Sequence, residues 1–271
     1  MKRFLKSLGR VTGLTHWAKP MAFKWQKWQH KKVNRAFRKK FPNQVLPPDK
    51  WLFETFQTNY VKYTVEGNLC AKEIIDWSKP YLPEDALWKI LDWGCGTARV
   101  TQHIHQHAPY SLVYGADINS EMIQWNTLHI KNAFFHSLSE HTRLPYPDDF
   151  FHLIYGISVF THLPIKQQIT WLHTLQKALQ TGGILILSTH GSFFENKLSK
   201  KQHALLQNQG FLELVEGNQE LSAGDRNYSV YQNASILKQQ FEKDFQIIQC
   251  YEGKEFPKIM GGQDLWILQK K

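Results

Sequence analysis

Unbroken apolar runs and apolar residues spaced three or four apart succeed one another along the chain, the patterns of buried strands and amphipathic helices. Residues 90–93 follow Leu87 and Trp88 and read as a strand buried in a sheet, broken by Gly94 and Gly96. Beyond the glycines, Val100, Ile104 and Ala108 recur near helical spacing, with Thr97 placed to cap that helix. A second apolar run, residues 111–117, ends in Asp117; Asn119 can then cap a helix carrying Met122, Ile123, Leu128 and Ile130. Residues 133–137 and 150–156 read as the third and fourth strands. An amphipathic helix over 165–179, with Ile169, Leu172, Leu175 and Leu179 inward, stops at Gly182 and Gly183 before a fifth strand that ends near His190. One helix is expected over 192–209 and an inserted hairpin over 210–231. A helix over 233–241, a strand over 245–251 and a last, antiparallel strand over 263–269 complete the pattern. Alternating strands and helices predict an α/β fold, a doubly wound and mostly parallel sheet.

Upstream, residues 51–79 are amphipathic, with Leu69, Ile74, Ile75 and Trp77 apolar, and predict a helix across the sheet edge that ends before Pro80 and Pro83. Before them Phe4, Leu8 and Val11, then Trp17, Met21, Trp25 and Trp28, recur at helical spacing among lysines, and Pro42, Pro47 and Pro48 mark a linker. The chain divides on this reading into a basic, Trp-rich helical extension over 1–50 and a main domain over 51–271.

Charge sharpens that division. The chain has 33 Lys and Arg against 23 Asp and Glu, yet residues 1–48 hold 13 of the basic residues and no acid. A basic helix with tryptophan on its apolar face suits an anionic membrane surface, here through residues 1–40; it suits nucleic acid less well, and it can also serve as a solvated cover for the main domain. No apolar run approaches the length of a membrane span and no secretory leader is legible, so a cytoplasmic protein, peripheral at a membrane at most, is expected. The three cysteines, Cys70, Cys95 and Cys250, are scattered, and His103, His105 and His107 have no further ligand beside them, so no metal is expected.

The glycine turn carries the first chemistry. Gly94 and Gly96 let a ligand lie close to the backbone, but Ala98 and Arg99 follow where a pyrophosphate-binding turn would place its third glycine. Asp92 would repel a pyrophosphate and attract an ammonium, and Asp117 ends the next strand, where a carboxylate can hold both hydroxyls of a ribose. A nucleoside with an amino-acid tail and no phosphate meets both conditions: S-adenosyl-L-methionine.

The residues from about 60 onward resemble a class I S-adenosylmethionine-dependent methyltransferase domain of the type 11/25 kind. The resemblance is carried in order by Leu91-Asp-Trp-Gly-Cys-Gly, Gly115-Ala-Asp117, Leu144-Pro-Tyr-Pro-Asp-Asp-Phe-Phe-His-Leu-Ile, Gly156-Ile-Ser-Val-Phe-Thr-His-Leu163 and Gly182-Gly-Ile-Leu-Ile-Leu-Ser-Thr-His190. It implies a seven-stranded Rossmann-like sheet with the cofactor at the carboxyl ends of the first strands. The implied cofactor residues are Asp92, the turn Gly94, Cys95, Gly96, Thr97 and Arg99, then Asp117 with Ile118 against the adenine, Glu140 near the adenine amino group with its neighbours Ser139 and His141 as alternatives, and Gly156 and Ser158 beside the sulfur. Tyr60, Tyr63 and Gly67 are further candidate contacts. Ala98 departs from the family's third glycine.

Methyl transfer from a sulfonium is an in-line displacement, and a base helps only an acceptor that must lose a proton. His162 and His190, after the fourth and fifth strands, are the candidate bases; each can instead support a loop by hydrogen bonding. The expected acceptor is a small-molecule, glycan or lipid-linked hydroxyl, with Tyr228 and Tyr231 as candidate acceptor contacts. The stretch Gly261-Gly-Gln-Asp-Leu resembles the ending of methyltransferases among cell-surface glycan enzymes. A nicotinamide or nucleotide-sugar oxidoreductase shares the sheet and the ribose acid, and a non-catalytic cofactor-binding module at a membrane is the reading outside catalysis.

Overall fold

The computed structural model describes residues 15–138, 143–215, 228–253 and 261–271. They form two compact units, one running up to Val65 and the other from Glu66 onward.

The first unit is built on α1 (Thr15–Lys40) and α2 (Asp49–Thr55). Positions 23, 26, 30, 34 and 37 of α1 recur at helical spacing and form its covered face. The Thr58 backbone N–H donates to Gln26 Oε1 at 2.7 Å, Asn34 Nδ2 donates to the Thr58 carbonyl at 2.7 Å, and Asn34 Oδ1 accepts the Tyr60 N–H at 3.0 Å. Phe37 packs in a small core with Leu46, Leu52 and Tyr63. The single helix expected over 51–79 is therefore two, α2 and α3 (Tyr60–Ser78). Polar side chains of α1 hold the intervening Thr58–Tyr60 backbone in a turn, satisfying groups that a continuous helix would have paired internally. Leu69, expected inward, is exposed on α3.

The second unit is a seven-stranded sheet ordered β3-β2-β1-β4-β5-β9-β8. Its strands are β1 (Trp88–Trp93), β2 (Ser111–Asp117), β3 (Phe134–Ser137), β4 (Phe151–Gly156), β5 (Leu179–Thr189), β8 (Phe245–Tyr251) and β9 (Asp264–Lys270). Strands β1 to β5 pair in parallel, and β9 runs antiparallel to both its neighbours, as the sequence leads one to expect. The central strands are buried on both faces, which is why they read as unbroken apolar runs. Leu91, Trp93, Ile154, Leu185, Leu187 and Trp266 face one core with α5 (Ile165–Ala178) and α8 (Ala234–Phe241). Alternate residues Ile90, Leu153, Ile184, Ile186 and Ile267 face the other, with Cys70, Ile74 and Ile75 of α3. Chain order reverses between β1 and β4, opening a crevice beyond their carboxyl ends.

Three local expectations change. The segment after β1 forms a 3₁₀ helix, Thr101–Gln106, rather than an α-helix, and Thr97 lies in the turn before it, buried, instead of capping it. The turn consumes residues 94–100, with Gly94, Gly96 and Ala98 all at positive φ, and Pro109 disfavours helix at Ala108, so too few residues remain. Val100, Ile104 and Ala108 are nevertheless buried together. The helix expected over 192–209 is two, α6 (Ser192–Glu195) and α7 (Lys200–Gln209), because Ser199 starts a new helix through a capping box with Gln202. Ile169, expected inward on α5, is exposed. By contrast α4 (Ser120–His129) is capped by Asn119, whose Oδ1 accepts the Met122 N–H at 3.0 Å. Strands β6 (Phe211–Val215) and β7 (Tyr228–Gln232) make a separate antiparallel pair.

Candidate active site

At the tip of β1 the Asp92 carboxylate is buried and accepts the Thr101 hydroxyl at 2.6 Å. Burial is the largest influence on its acidity and pushes its pKa up to about 6; the Thr101 and Tyr155 hydroxyls and the Arg99 guanidinium pull it back down, and the Asp117 charge raises it. Asp117, at the tip of β2, is likewise raised above the usual carboxylate range by burial, and the backbone N–H groups around it oppose that rise. A buried acid and a partly buried one on adjacent strand tips make the crevice a place where positive charge or hydroxyl donors are favoured.

The turn between them is tightly tied. Gly94 and Cys95 N–H both donate to the Ala116 carbonyl, at 2.7 and 3.1 Å. Gly96 N–H donates to Asp117 Oδ2 and Asn119 N–H to Asp117 Oδ1, each at 2.8 Å. Each carboxylate oxygen thus accepts a backbone N–H. A Cβ at Gly94, where φ is +76°, would meet Val159 Cγ2 at 2.4 Å. Gly94→Ala is accordingly expected to destabilise the protein by about 2 to 5 kcal/mol, from left-handed strain and overpacking together, read as a lowered melting temperature. Cys95 is buried and its thiol is pushed well above its ordinary pKa by burial, the chemistry of a filler and not of a nucleophile.

Asn126 is the residue that sequence reasoning missed here. Buried on α4, it donates through Nδ2 to the Gly96 carbonyl at 2.8 Å, while its Oδ1 has no partner among the described residues. A signal existed: an amide sits on the apolar stripe of Met122 and Ile123, where a hydrophobe would be expected.

The remaining sequence candidates separate. Ile118, 47% exposed directly after Asp117, leaves an apolar side chain at the crevice edge. Gly67 has a packing reason of its own, since a Cβ there would meet the Arg99 carbonyl oxygen at 2.3 Å. Glu140 and its neighbours Ser139 and His141 lie outside the described residues. Gly156 must lack a side chain because a Cβ would strike Trp93 Cε3 at 2.6 Å. Ser158, at φ +65°, has its N–H on Ser188 Oγ at 2.7 Å and its hydroxyl on Gln263 Oε1 at 3.0 Å, and Ser188 Oγ also donates to Gln263 Oε1 at 2.6 Å. The Ser158 hydroxyl is thus part of a clamp joining the ends of β4 and β5 to the residue before β9.

His162 and His190 lie together, ring centroids 6.4 Å apart and edge to face. Their Nδ1 atoms meet alternate carbonyls of β7: His162 to Tyr228 at 2.7 Å and His190 to Val230 at 2.9 Å. A carbonyl only accepts, so Nδ1 carries the proton and the lone pair is on Nε2 in both rings. His190 is buried, stacked on Tyr231 at 4.8 Å and packed on Phe194 at 4.6 Å, and burial pushes its pKa down to about 4. His162 is only partly buried. Among the described residues no group of three His, Cys, Asp or Glu side chains could hold a metal ion, and no helix is long and apolar enough to cross a membrane.

Residues 90–183, which hold most of β1, the glycine turn and both acids, match the methyltransferase domain family. The chain carries a class I S-adenosylmethionine-dependent methyltransferase domain. This methyltransferase is 28% identical over 189 residues to the malonyl-[acyl-carrier protein] O-methyltransferase of Bacillus cereus, covering 69% of its own length and 66%, just under two thirds, of that protein. Its fold is that of a Methanosarcina mazei S-adenosylmethionine-dependent methyltransferase, with a TM-score of 0.54 at 20% identity over 71% of this chain and 95% of that one. It is also that of the Synechocystis magnesium protoporphyrin IX methyltransferase solved with bound SAH, with a TM-score of 0.52 at 15% identity over 91% and 98%. The family match decides against the oxidoreductase alternative, and the cofactor of the methyltransferase domain is S-adenosylmethionine. The residues present fit it: two acids poised for cationic and hydroxyl groups, a turn with no room for a side chain at Gly94, and an orphaned Asn126 Oδ1 beside that turn.

Proposed function

We propose that this methyltransferase methylates a hydroxyl oxygen of a small-molecule acceptor, with His162 Nε2 as the general base. Bound S-adenosylmethionine supplies an electrophilic methyl group on its sulfonium. Asp117 holds the ribose hydroxyls, Asp92 faces the cationic amino-acid end, and the backbone of the Gly94–Gly96 turn approaches that end closely. Gly156 and the Ser158 turn line the sulfur side, with Ser188 and Gln263 fixing that turn.

The observation that carries the reading is the pair of imidazoles, after β4 and at the end of β5, tethered through Nδ1 to the Tyr228 and Val230 carbonyls, which puts the lone pair on Nε2 in both rings. His162 is the accessible member; His190, held neutral by burial, orients β7 without placing a second cation beside it. An alcohol must lose its proton as it attacks, and a base aligned for that proton contributes about 10²- to 10⁴-fold. A second reading, a carboxylate acceptor, is favoured by the name of the Bacillus cereus relative; a carboxylate is already deprotonated and needs no base.

The pH dependence of single-turnover methyl transfer at saturating donor separates them. A rate that climbs with pH through the imidazole range is expected; a flat profile from about pH 5 to about pH 9 overturns the hydroxyl reading.

Asp92 gives a further expectation with the opposite sign in stability. Its folded-state pKa, about 6, lies above the ordinary 3.8, so the stability it contributes is complete below about 3.8 and is lost as pH rises through about 6. Asp92→Asn is expected to stabilise the donor-free protein by about 3 kcal/mol near neutrality while weakening donor affinity, with the stability gain vanishing in acid. Thermal melts across pH, with and without donor, read both effects.

A further inference from the structure

We infer that the outward face of α1 docks on an anionic lipid surface. The covered face of this helix, through Gln26, Asn34 and Phe37, is committed to the Thr58–Tyr60 turn and to Leu46, Leu52 and Tyr63. The opposite side carries Met21, Trp25 and Trp28 at spacings of four and three, exposed by 68, 48 and 73%. The same stripe then continues as Lys32, Arg35 and Lys39, all exposed, at spacings of four, three and four. At about 1.5 Å per residue each half of the stripe runs roughly 10 Å along the axis. One end is apolar and aromatic and the other is cationic.

Residues 19–40 hold nine Lys and Arg and no acid. Of these Lys27 is paired, with Asp49 at 2.7 Å, and Lys24 and Lys31 flank the stripe, both exposed. A surface of this kind has two requirements of its partner: negative charge for the lysines, and a shallow apolar layer for Met21 and Trp28. The headgroup region of an anionic bilayer offers both, and tryptophan is the side chain best suited to that boundary. A nucleic acid backbone meets the first requirement and leaves the exposed methionine and indoles without gain.

The test uses the full chain and sedimentation with vesicles of phosphatidylcholine alone or of equal parts phosphatidylcholine and phosphatidylserine. Expected is retention by the serine-lipid vesicles only, weakening as salt is raised. Lys32→Glu with Arg35→Glu and Lys39→Glu is expected to lower vesicle affinity at least about a hundredfold, since each basic residue near an anionic surface contributes a several-fold factor. Met21→Ser with Trp28→Ser is expected to lower it about tenfold. All five positions are exposed, so unchanged melting temperature and unchanged methyl transfer to a free acceptor confirm that the variants fold. Equal retention by both vesicle types, no retention, variants that sediment like the parent, or capture by an acidic protein or RNA but not by vesicles would each overturn the inference.

Discussion

Asp117→Ala is expected to lower affinity for S-adenosylmethionine by about a hundredfold to ten-thousandfold, read by calorimetric titration of the donor and of its demethylated product. The magnitude follows from two hydrogen bonds to an ionised acceptor, about 1.5 to 3 kcal/mol each. The structure adds a second loss. Asp117 Oδ2 and Oδ1 hold the Gly96 and Asn119 N–H groups, so alanine frees the glycine turn as well as the ribose. Asp117→Asn separates the two: it keeps an oxygen for one of those N–H groups, loses the charge, and is expected to fall between alanine and the parent in affinity. Donor affinity that survives alanine at this position would remove the basis for placing the ribose there.

The second large effect is catalytic. His162→Gln is expected to slow single-turnover transfer to a hydroxyl acceptor by about 10² to 10⁴ while leaving donor affinity within a few-fold. Glutamine is the informative replacement because its amide N–H can still donate to the Tyr228 carbonyl, so the tether to β7 survives and only the basic nitrogen is lost. If the rate holds, proton transfer by His162 is not part of the reaction, and a carboxylate acceptor becomes the better reading. His190→Gln serves as the comparison: a buried ring whose pKa lies near 4 is a poor proton acceptor at neutrality, so a smaller effect on rate is expected, accompanied by a loss of stability from the broken stack on Tyr231.

The sheet was legible because its central strands are buried on both faces, so Ile90, Leu91, Leu153, Ile154, Ile184 and Leu185 leave no polar gap in the sequence. The glycine turn and the two acids were legible because local chain geometry and charge sign carry their own meaning. What sequence could not supply is contact between distant positions. The tether from His162 to Tyr228 joins residues 66 apart, and the clamp from Ser158 to Gln263 joins residues 105 apart. Neither leaves a periodic trace. Helix boundaries failed for a related reason: the break before Tyr60 is held by side chains of α1, and the one local sign of it is Asn59, whose Oδ1 caps the new helix by accepting the Lys62 N–H at 3.0 Å. The 3₁₀ segment after β1 failed on counting, since nothing in Val100, Ile104 and Ala108 announces how many residues the left-handed turn at Ala98 consumes.

The strand order has a bearing on assembly. Strand β8 precedes β9 in the chain yet lies outside it, so β5 stays an open edge until β9 inserts, and β8 has no place in the sheet before that moment. Gln263 travels with β9 and completes the link between the ends of β4 and β5. A chain halted before β9 can therefore own both acids and the whole glycine turn and still lack the latch that fixes the Ser158 turn.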